Sequence, residues 1–369
     1  MSKTEALADR GVSIWLDDLS RERLNSGSLE SLIKTRNVVG VTTNPSIFQK
    51  AIFAAGPYDS QIKELAMAGA DPEEAVRAMT TDDVRAAADI FLPIYEATDG
   101  VDGRVSIEVD PRLAHDSENT VTQAIELARL VDRPNVMIKI PATREGLSAI
   151  TKTLAEGISV NVTSIFSIER YREVIAAFIK GLEEALKAGR DISQIHSVAS
   201  FFVSRIDSTI DPQLEAIGTD KALALRGKSA VANAQLAWQV FEESFSDEVW
   251  EKLAAAGAHK QRPLWASTGV KNPDYPDTLY VDALAYRDCV NTMPEATLEA
   301  VADHSDETLY PEASSDAAEI IGHVEKLGIS LDKVTDKLET DGVAQFVTAW
   351  QSLLDDVAVR LDKVKEEKE

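Results

Sequence analysis

Apolar positions along this chain fall into short β-branched runs separated by longer stretches in which apolar residues recur at helical spacing. Seven runs read as strands: Val12 to Asp17, Val38 to Thr43, Val105 to Val109, Val136 to Ile140, Ser159 to Ile165, Ser197 to Val203 and Leu264 to Thr268. β-branched side chains fit a pleated, covered surface, which is why such runs favour sheet. Two segments compete for the eighth place, Thr278 to Leu284 and Cys289 to Met293. The second is preferred, because Leu279 to Tyr286 then serves as the helix after the seventh strand. Met293-Pro294 also closes the strand just before a helix-forming Glu-Ala-Thr-Leu-Glu-Ala run. Glu118 to Leu130 and Glu169 to Ala188 carry apolar residues at helical spacing with charge on the other positions, the pattern of helices that cover a sheet on one face. Strand and helix alternating in this way predict a parallel sheet, and eight units predict an α/β fold of the (β/α)8 type.

Two stretches exceed what a minimal barrel needs, Phe53 to Ala97 and the tail from Pro311 to Glu369. Both read as helical additions. In the tail, Phe346, Trp350, Leu353, Leu354, Val357 and Leu361 form one apolar stripe, so this helix is expected to dock on the barrel until its charged end, Lys363 to Glu369, frays. No repeat, linker or composition shift marks a second domain. Residues 1–369 read as one elaborated barrel domain, a fold that runs to roughly 250 residues or more.

Composition narrows the function. With 44% hydrophobic residues the chain can bury a full core, and its net charge of -24 repels nucleic acid and anionic membranes. A small anionic substrate stays possible if its cleft is locally basic. Cys289 is the one cysteine, which rules out an intrachain disulfide and fits a packed thiol in a reducing compartment. No signal-like segment opens the chain and no run of about 18 apolar residues occurs, so a cytoplasmic protein is expected. Composition leaves monomer and homodimer open.

Reactive groups of such a barrel sit where strands end at its C-terminal face, so polar residues that interrupt apolar strands are the candidates. Lys139 interrupts Val136-Met137-Ile138-Lys139-Ile140. Burial disfavours the charged amine, drawing its pKa down from about 10.4 toward a nucleophilic range, although a paired structural cation would look the same. Asp17 ends the first strand and Glu108 sits in the third, two carboxylates suited to shuttling protons; capping or salt bridging is the plainer use of either alone. Asn44 follows the second strand, and Asn161 and Thr163, two apart, share a strand face. Ser200, Phe202 and Ser204 share another, and Arg205 follows where a phosphate could be held.

Other chemistries find little support. The five histidines, His115, His196, His259, His304 and His323, lack ligand spacing, and no Walker loop, dinucleotide-binding glycine fingerprint or nucleophile elbow is present. No dedicated cofactor is implied.

Taken in order, Gly40-Val41-Thr42-Thr43-Asn44-Pro45-Ser46, Ser106-Ile107-Glu108-Val109-Asp110-Pro111-Arg112-Leu113, Ile138-Lys139-Ile140-Pro141-Ala142-Thr143, Asn161 to Phe166 and Ser200 to Arg205 resemble the transaldolases. The likeness is to the form with Trp-Leu-Asp-Asp at the first strand, and it spans most of the chain. It implies a Schiff-base barrel enzyme of the non-oxidative pentose phosphate pathway acting on sugar phosphates. In it Lys139 would bind the ketone of fructose 6-phosphate or sedoheptulose 7-phosphate, and Asp17 would take the C4 hydroxyl proton. Glu108 and Thr163 would hold the catalytic water, Asn44, Asn161 and Ser200 the dihydroxyacetone hydroxyls, and Arg205 the phosphate.

One departure is visible. Where many members carry Ala-Ser-Phe-Arg, this chain has Ala266-Ser267-Thr268-Gly269-Val270-Lys271, so Lys271 would replace an arginine fork by a point charge beside Ser267. Phe202, where relatives that only cleave fructose 6-phosphate carry tyrosine, favours transfer over hydrolysis. The alternatives are an aldolase that releases its three-carbon unit and a barrel without turnover acting as a scaffold.

Overall fold

The computed structural model describes residues 2–54, 56–311 and 316–366. Eight parallel strands close a barrel in sequence order: β1 (Val12–Leu16), β2 (Val38–Val41), β3 (Arg104–Glu108), β4 (Val136–Pro141), β5 (Val160–Ile165), β6 (Ser197–Phe202), β7 (Arg262–Ala266) and β8 (Cys289–Met293). β8 pairs back onto β1, with Val12 opposite Cys289 and Leu16 opposite Met293. The preference for Cys289 to Met293 as the eighth strand is therefore correct. In the segment expected to be helical before it, only Leu279–Asp282 is regular. Past it the chain tightens through a Tyr286 N–H bond to the Leu284 carbonyl.

Other strand ends differ from the sequence reading by one or two residues, each for a local reason. β2 stops at Val41 because Thr42 and Thr43 turn their hydroxyls to other strands, donating to Asp17 Oδ1 at 2.7 Å and to the Ser106 carbonyl at 2.7 Å. β7 begins at Arg262 and ends at Ala266 because Ser267 adopts a left-handed φ of 56° that breaks the ladder. Within the barrel, Gly40 is required by its neighbour: a Cβ there would lie 2.6 Å from the buried Trp15 ring, so the indole packs flat across β2 only because that position has no side chain.

Of the helices between β2 and β3, Pro72–Ala97 packs on both strands and is the crossover helix of that unit. Pro45–Phe53 and Asp59–Ala68 are the surplus, and they pack on the C-terminal helix Leu331–Glu366. That helix buries the expected stripe at Phe346, Leu353, Leu354, Val357 and Leu361, with Trp350 half-buried. Residues Lys363 to Glu366, expected to fray, continue the helix; 367–369 lie outside the described residues. Where it passes over the barrel mouth, a Cβ on Gly342 would lie 3.7 Å from both Phe166 and Arg205. The buried apolar core runs through the barrel and the helices around it without a break.

Candidate active site

Parallel pairing brings the polar strand residues together at the C-terminal face. Glu108 on β3 is the direct register partner of Lys139 on β4, which in turn faces Asn161 on β5. Lys139 is 4% exposed, and its Nζ donates to the Thr43 carbonyl at 3.0 Å and to Glu108 Oε2 at 3.3 Å. A compact ammonium or amine with two oxygen partners on one side leaves its other side turned to a cavity of about 190 Å³.

Asp17, Thr42, Asn44, Lys139, Thr163, Ser200, Phe202, Arg205, Ser267 and Lys271 line that cavity. Nine of the eleven residues anticipated from sequence therefore line one cavity, and Thr42 joins them. Glu108 reaches Lys139 from a smaller neighbouring cavity of about 40 Å³, shared with Asn44 and Trp350. Asn161 lies fully buried beneath the floor, where its amide donates to Ser106 Oγ at 3.0 Å and its Oδ1 accepts from Ser200 Oγ at 2.7 Å. Asn44 also does the plainer job that its type suggests: its Oδ1 caps helix Pro45–Phe53 by accepting from the Ile47 N–H at 3.0 Å. The cap fixes the side chain and leaves its NH₂ for the cavity.

Burial lifts the Asp17 carboxyl above the ordinary carboxylate range, against the pull of Lys139 and the Thr42 hydrogen bond. Burial lifts Glu108 as well, again against Lys139. Both acids are thus poised to exchange protons beside the amine. Thr163 is fully buried and its hydroxyl has no partner among the described residues. A buried hydroxyl on a polar cavity is a place for water or a ligand hydroxyl.

Two further cations, Arg205 and Lys271, line the same cavity. Arg205 is the second residue of helix Ser204–Ile217, placing it just past the strand end expected for it. Its guanidinium lies 5.5 Å over the Phe202 ring, is discharged more readily because it is half-buried, and forms no ion pair among the described residues. Ser204 has also left the strand, and its Oγ lies 2.9 Å from Ser267 Oγ. Lys271 is exposed on the cavity rim. Arg205 and Lys271 supply local positive charge that the overall charge of -24 conceals.

Four contributors escaped the sequence reading. Thr42 sits two residues before Asn44, and Ser106 two before Glu108, so strand periodicity could have flagged both. Thr292 Oγ1 lies 2.6 Å from Thr42 Oγ1. Because Thr42 gives its one hydroxyl proton to Asp17, Thr292 must donate to Thr42. Phe346 lines the cavity from the C-terminal helix, and no local pattern could have placed it there. Cys289 is a packed thiol, bonded at 2.9 Å to the Tyr286 carbonyl and pushed up to about 12 by burial.

Among the described residues, no group of acids, histidines and cysteine is arranged to hold a metal ion, and no helix is long and apolar enough to cross a membrane. The family model described as transaldolase/fructose-6-phosphate aldolase matches residues 14–357. A protein named transaldolase 1 from Streptomyces avermitilis is 61% identical over 363 residues, covering 97% of this chain and 95% of the relative. Proteins named transaldolase from Thermobifida fusca and Mycolicibacterium smegmatis are each 59% identical over 362 residues, covering 98% of both chains in each case.

Proposed function

The chain belongs to the transaldolase/fructose-6-phosphate aldolase family, and from that premise we propose that it is a transaldolase whose barrel mouth moves a dihydroxyacetone unit between sugar phosphates through Lys139. The observation that carries this reading is the buried Lys139 amine facing a cavity with Glu108 at 3.3 Å behind it and Arg205 and Lys271 on its lining.

In its unprotonated form the Lys139 amine attacks the C2 ketone of fructose 6-phosphate or sedoheptulose 7-phosphate, forming a C–N bond and a carbinolamine. Glu108, whose hold on a proton burial strengthens, donates to the departing hydroxyl, which leaves as water held by Glu108 and Thr163. The product is an iminium. Asp17 then takes the C4 hydroxyl proton, the C3–C4 bonding pair becomes the C2–C3 double bond as the C–N π pair moves onto nitrogen, and an aldehyde departs from a Lys139-bound enamine. Because the nitrogen accepts those electrons, the cleavage needs no further electron sink. Erythrose 4-phosphate or glyceraldehyde 3-phosphate enters as acceptor and the steps reverse. Asn44 and Ser200 orient the dihydroxyacetone hydroxyls, with Asn161, expected to do so directly, instead accepting from the Ser200 hydroxyl beneath the floor, while Arg205, with Lys271 and Ser267, holds the phosphate. Phe202 offers no phenol to activate water against the enamine, which favours transfer over hydrolysis. A cytoplasmic site of action accords with the single buried thiol.

The test is borohydride trapping with fructose 6-phosphate, followed by intact and peptide mass spectrometry of the wild type and of Lys139→Ala. A three-carbon adduct on the Lys139 peptide, absent from the folded variant, is expected. No adduct on either protein would sink the Schiff-base reading. Product analysis with and without an acceptor aldehyde then separates transfer from simple cleavage.

A further inference from the structure

The N-terminal end of the barrel, opposite the catalytic mouth, usually serves stability alone. Here it holds a second cavity of about 220 Å³, lined by His196, His259, Lys260 and Arg262, with Asp288 as the one acid on its wall. These residues stand at the entries to β6, β7 and β8. In a chain of net charge -24, such a gathering of basic groups runs against the average surface.

The donors there are unevenly used. Arg262 is committed: it donates to Ser13 Oγ at 2.7 Å, to the Val101 carbonyl at 2.8 Å and to Asp102 Oδ1 at 3.2 Å. Asp102 is thereby neutralised. Arg104, at the first position of β3, is 0% exposed. Its Nε donates to the Gly100 carbonyl at 2.7 Å and its Nη1 to the Pro134 carbonyl at 3.3 Å, while Nη2 has no acceptor. The Tyr95 ring lies 4.8 Å from the guanidinium carbon and the Asp102 carboxylate acts on it from a distance, but no carboxylate among the described residues bonds to it, and a buried guanidinium with an unmet donor is costly.

The neighbouring groups leave that donor open. Gly100 sits beside it with φ +79°, and a Cβ there would lie 3.2 Å from Arg104 Nη2 and 3.1 Å from His196 Nε2. The glycine keeps the tips of two basic side chains clear of a third. The His196 and His259 rings stack at 4.3 Å, and neither bonds to a carboxylate among the described residues. Lys260 is exposed, its Nζ 5.4 Å over the Phe241 ring and without an ion pair among the described residues. A single bridging water would satisfy one donor but neutralise nothing, and the cavity is several times larger than one water needs.

We propose that this N-terminal cavity binds a phosphoryl dianion, held by Lys260, His259 and His196 with the Arg104 charge behind them. The shared chemistry is the phosphoryl group, which free inorganic phosphate and a phosphorylated sugar both carry. Binding would stabilise the folded barrel with the logarithm of ligand concentration once that concentration exceeds Kd.

The test is calorimetric titration with inorganic phosphate of the full chain carrying Arg205→Ala and Lys271→Ala, which silences the catalytic mouth. One phosphate per chain is expected to remain bound, and adding Lys260→Glu is expected to raise its Kd at least about tenfold by reversing an exposed charge. No binding by the folded double variant, or an unchanged Kd with Lys260→Glu, would overturn the proposal. Should the double variant not fold, Lys260→Glu alone decides: one of two phosphate sites weakens at least about tenfold with turnover unchanged, and identical isotherms for the two proteins refute the site. Repeating the titration with glucose 6-phosphate identifies the source, since tighter binding than phosphate assigns the cavity to a sugar phosphate and equal or weaker binding assigns it to the free ion.

Discussion

Lys139 Nζ lies 3.3 Å from Glu108 Oε2, and the two residues face each other directly across the β3–β4 ladder. The acid is therefore fixed to the amine by backbone pairing, independently of any loop. Glu108→Gln keeps an oxygen for Nζ but removes the exchangeable proton. It should lower kcat by about 10²–10⁴ with little change in KM, and steady-state assays should show the loss together with slower borohydride trapping. A variant as fast as wild type would exclude Glu108 from proton transfer.

The Thr42 hydroxyl donates to Asp17 Oδ1 at 2.7 Å and receives from Thr292 at 2.6 Å. That bond favours the carboxylate, so removing it raises the Asp17 pKa further above its ordinary value. In Thr42→Val the acidic limb of the kcat/KM profile should move to higher pH, because the base must be ionised to take the C4 proton. If the limb stays where it is, Asp17 is not the base.

Arg205 is half-buried over the Phe202 ring and forms no ion pair among the described residues, whereas Lys271 is exposed. A charge-assisted bond from the former is worth about 1.5–3 kcal/mol, so Arg205→Ala should raise KM for phosphorylated substrates by roughly 10- to 100-fold. An exposed point charge is worth about 1 kcal/mol or less, so Lys271→Ala should raise KM no more than about fivefold. Lys271→Arg, which restores a planar fork, should lower KM. Equal effects of the two alanine variants would show that the phosphate lies elsewhere.

Stability should carry the mark of His196. Burial and the nearby charges of Arg104, His259 and Arg262 push its pKa down from 6.5 to about 2. The unfolded chain takes up a proton below pH 6.5 that the folded chain refuses until about pH 2. The stability is thus fully present above pH 6.5 and is lost as pH falls toward 2, at about 1.4 kcal/mol per pH unit where one proton separates the states. Asp207 has the opposite sign. Burial raises it from 3.8 to about 7, so its contribution is present below pH 3.8 and lost as pH rises. Between pH 3.8 and 6.5 the two slopes oppose each other. His196→Asn removes one of them. In urea unfolding in phosphate-free buffer, stability of the wild type minus that of the variant should shrink steadily between pH 6.5 and 4. A constant difference would show that His196 titrates normally in the fold.

The sequence by itself determined the strands, their order and most of the mouth. Eight β-branched runs alternating with amphipathic segments specify covered parallel strands, and polar residues at strand ends name the side chains that such a barrel turns toward its mouth. Lys139, Glu108, Asn161 and Thr163 were legible for that reason, since period-two alternation fixes a face before any contact is known.

What tertiary structure decided is everything that depends on non-local approach. Register set Glu108 against Lys139 and sank Asn161 beneath the floor. The Thr292 to Thr42 to Asp17 chain required β8 to close on β1 and β1 to pair with β2. Phe346 reached the cavity only because helix Leu331–Glu366 crosses the mouth from some 140 positions beyond Arg205, a separation over which no local periodicity carries information. Arg104 carries no signal in the sequence; that its Nη2 is buried without an acceptor among the described residues is visible only in the fold.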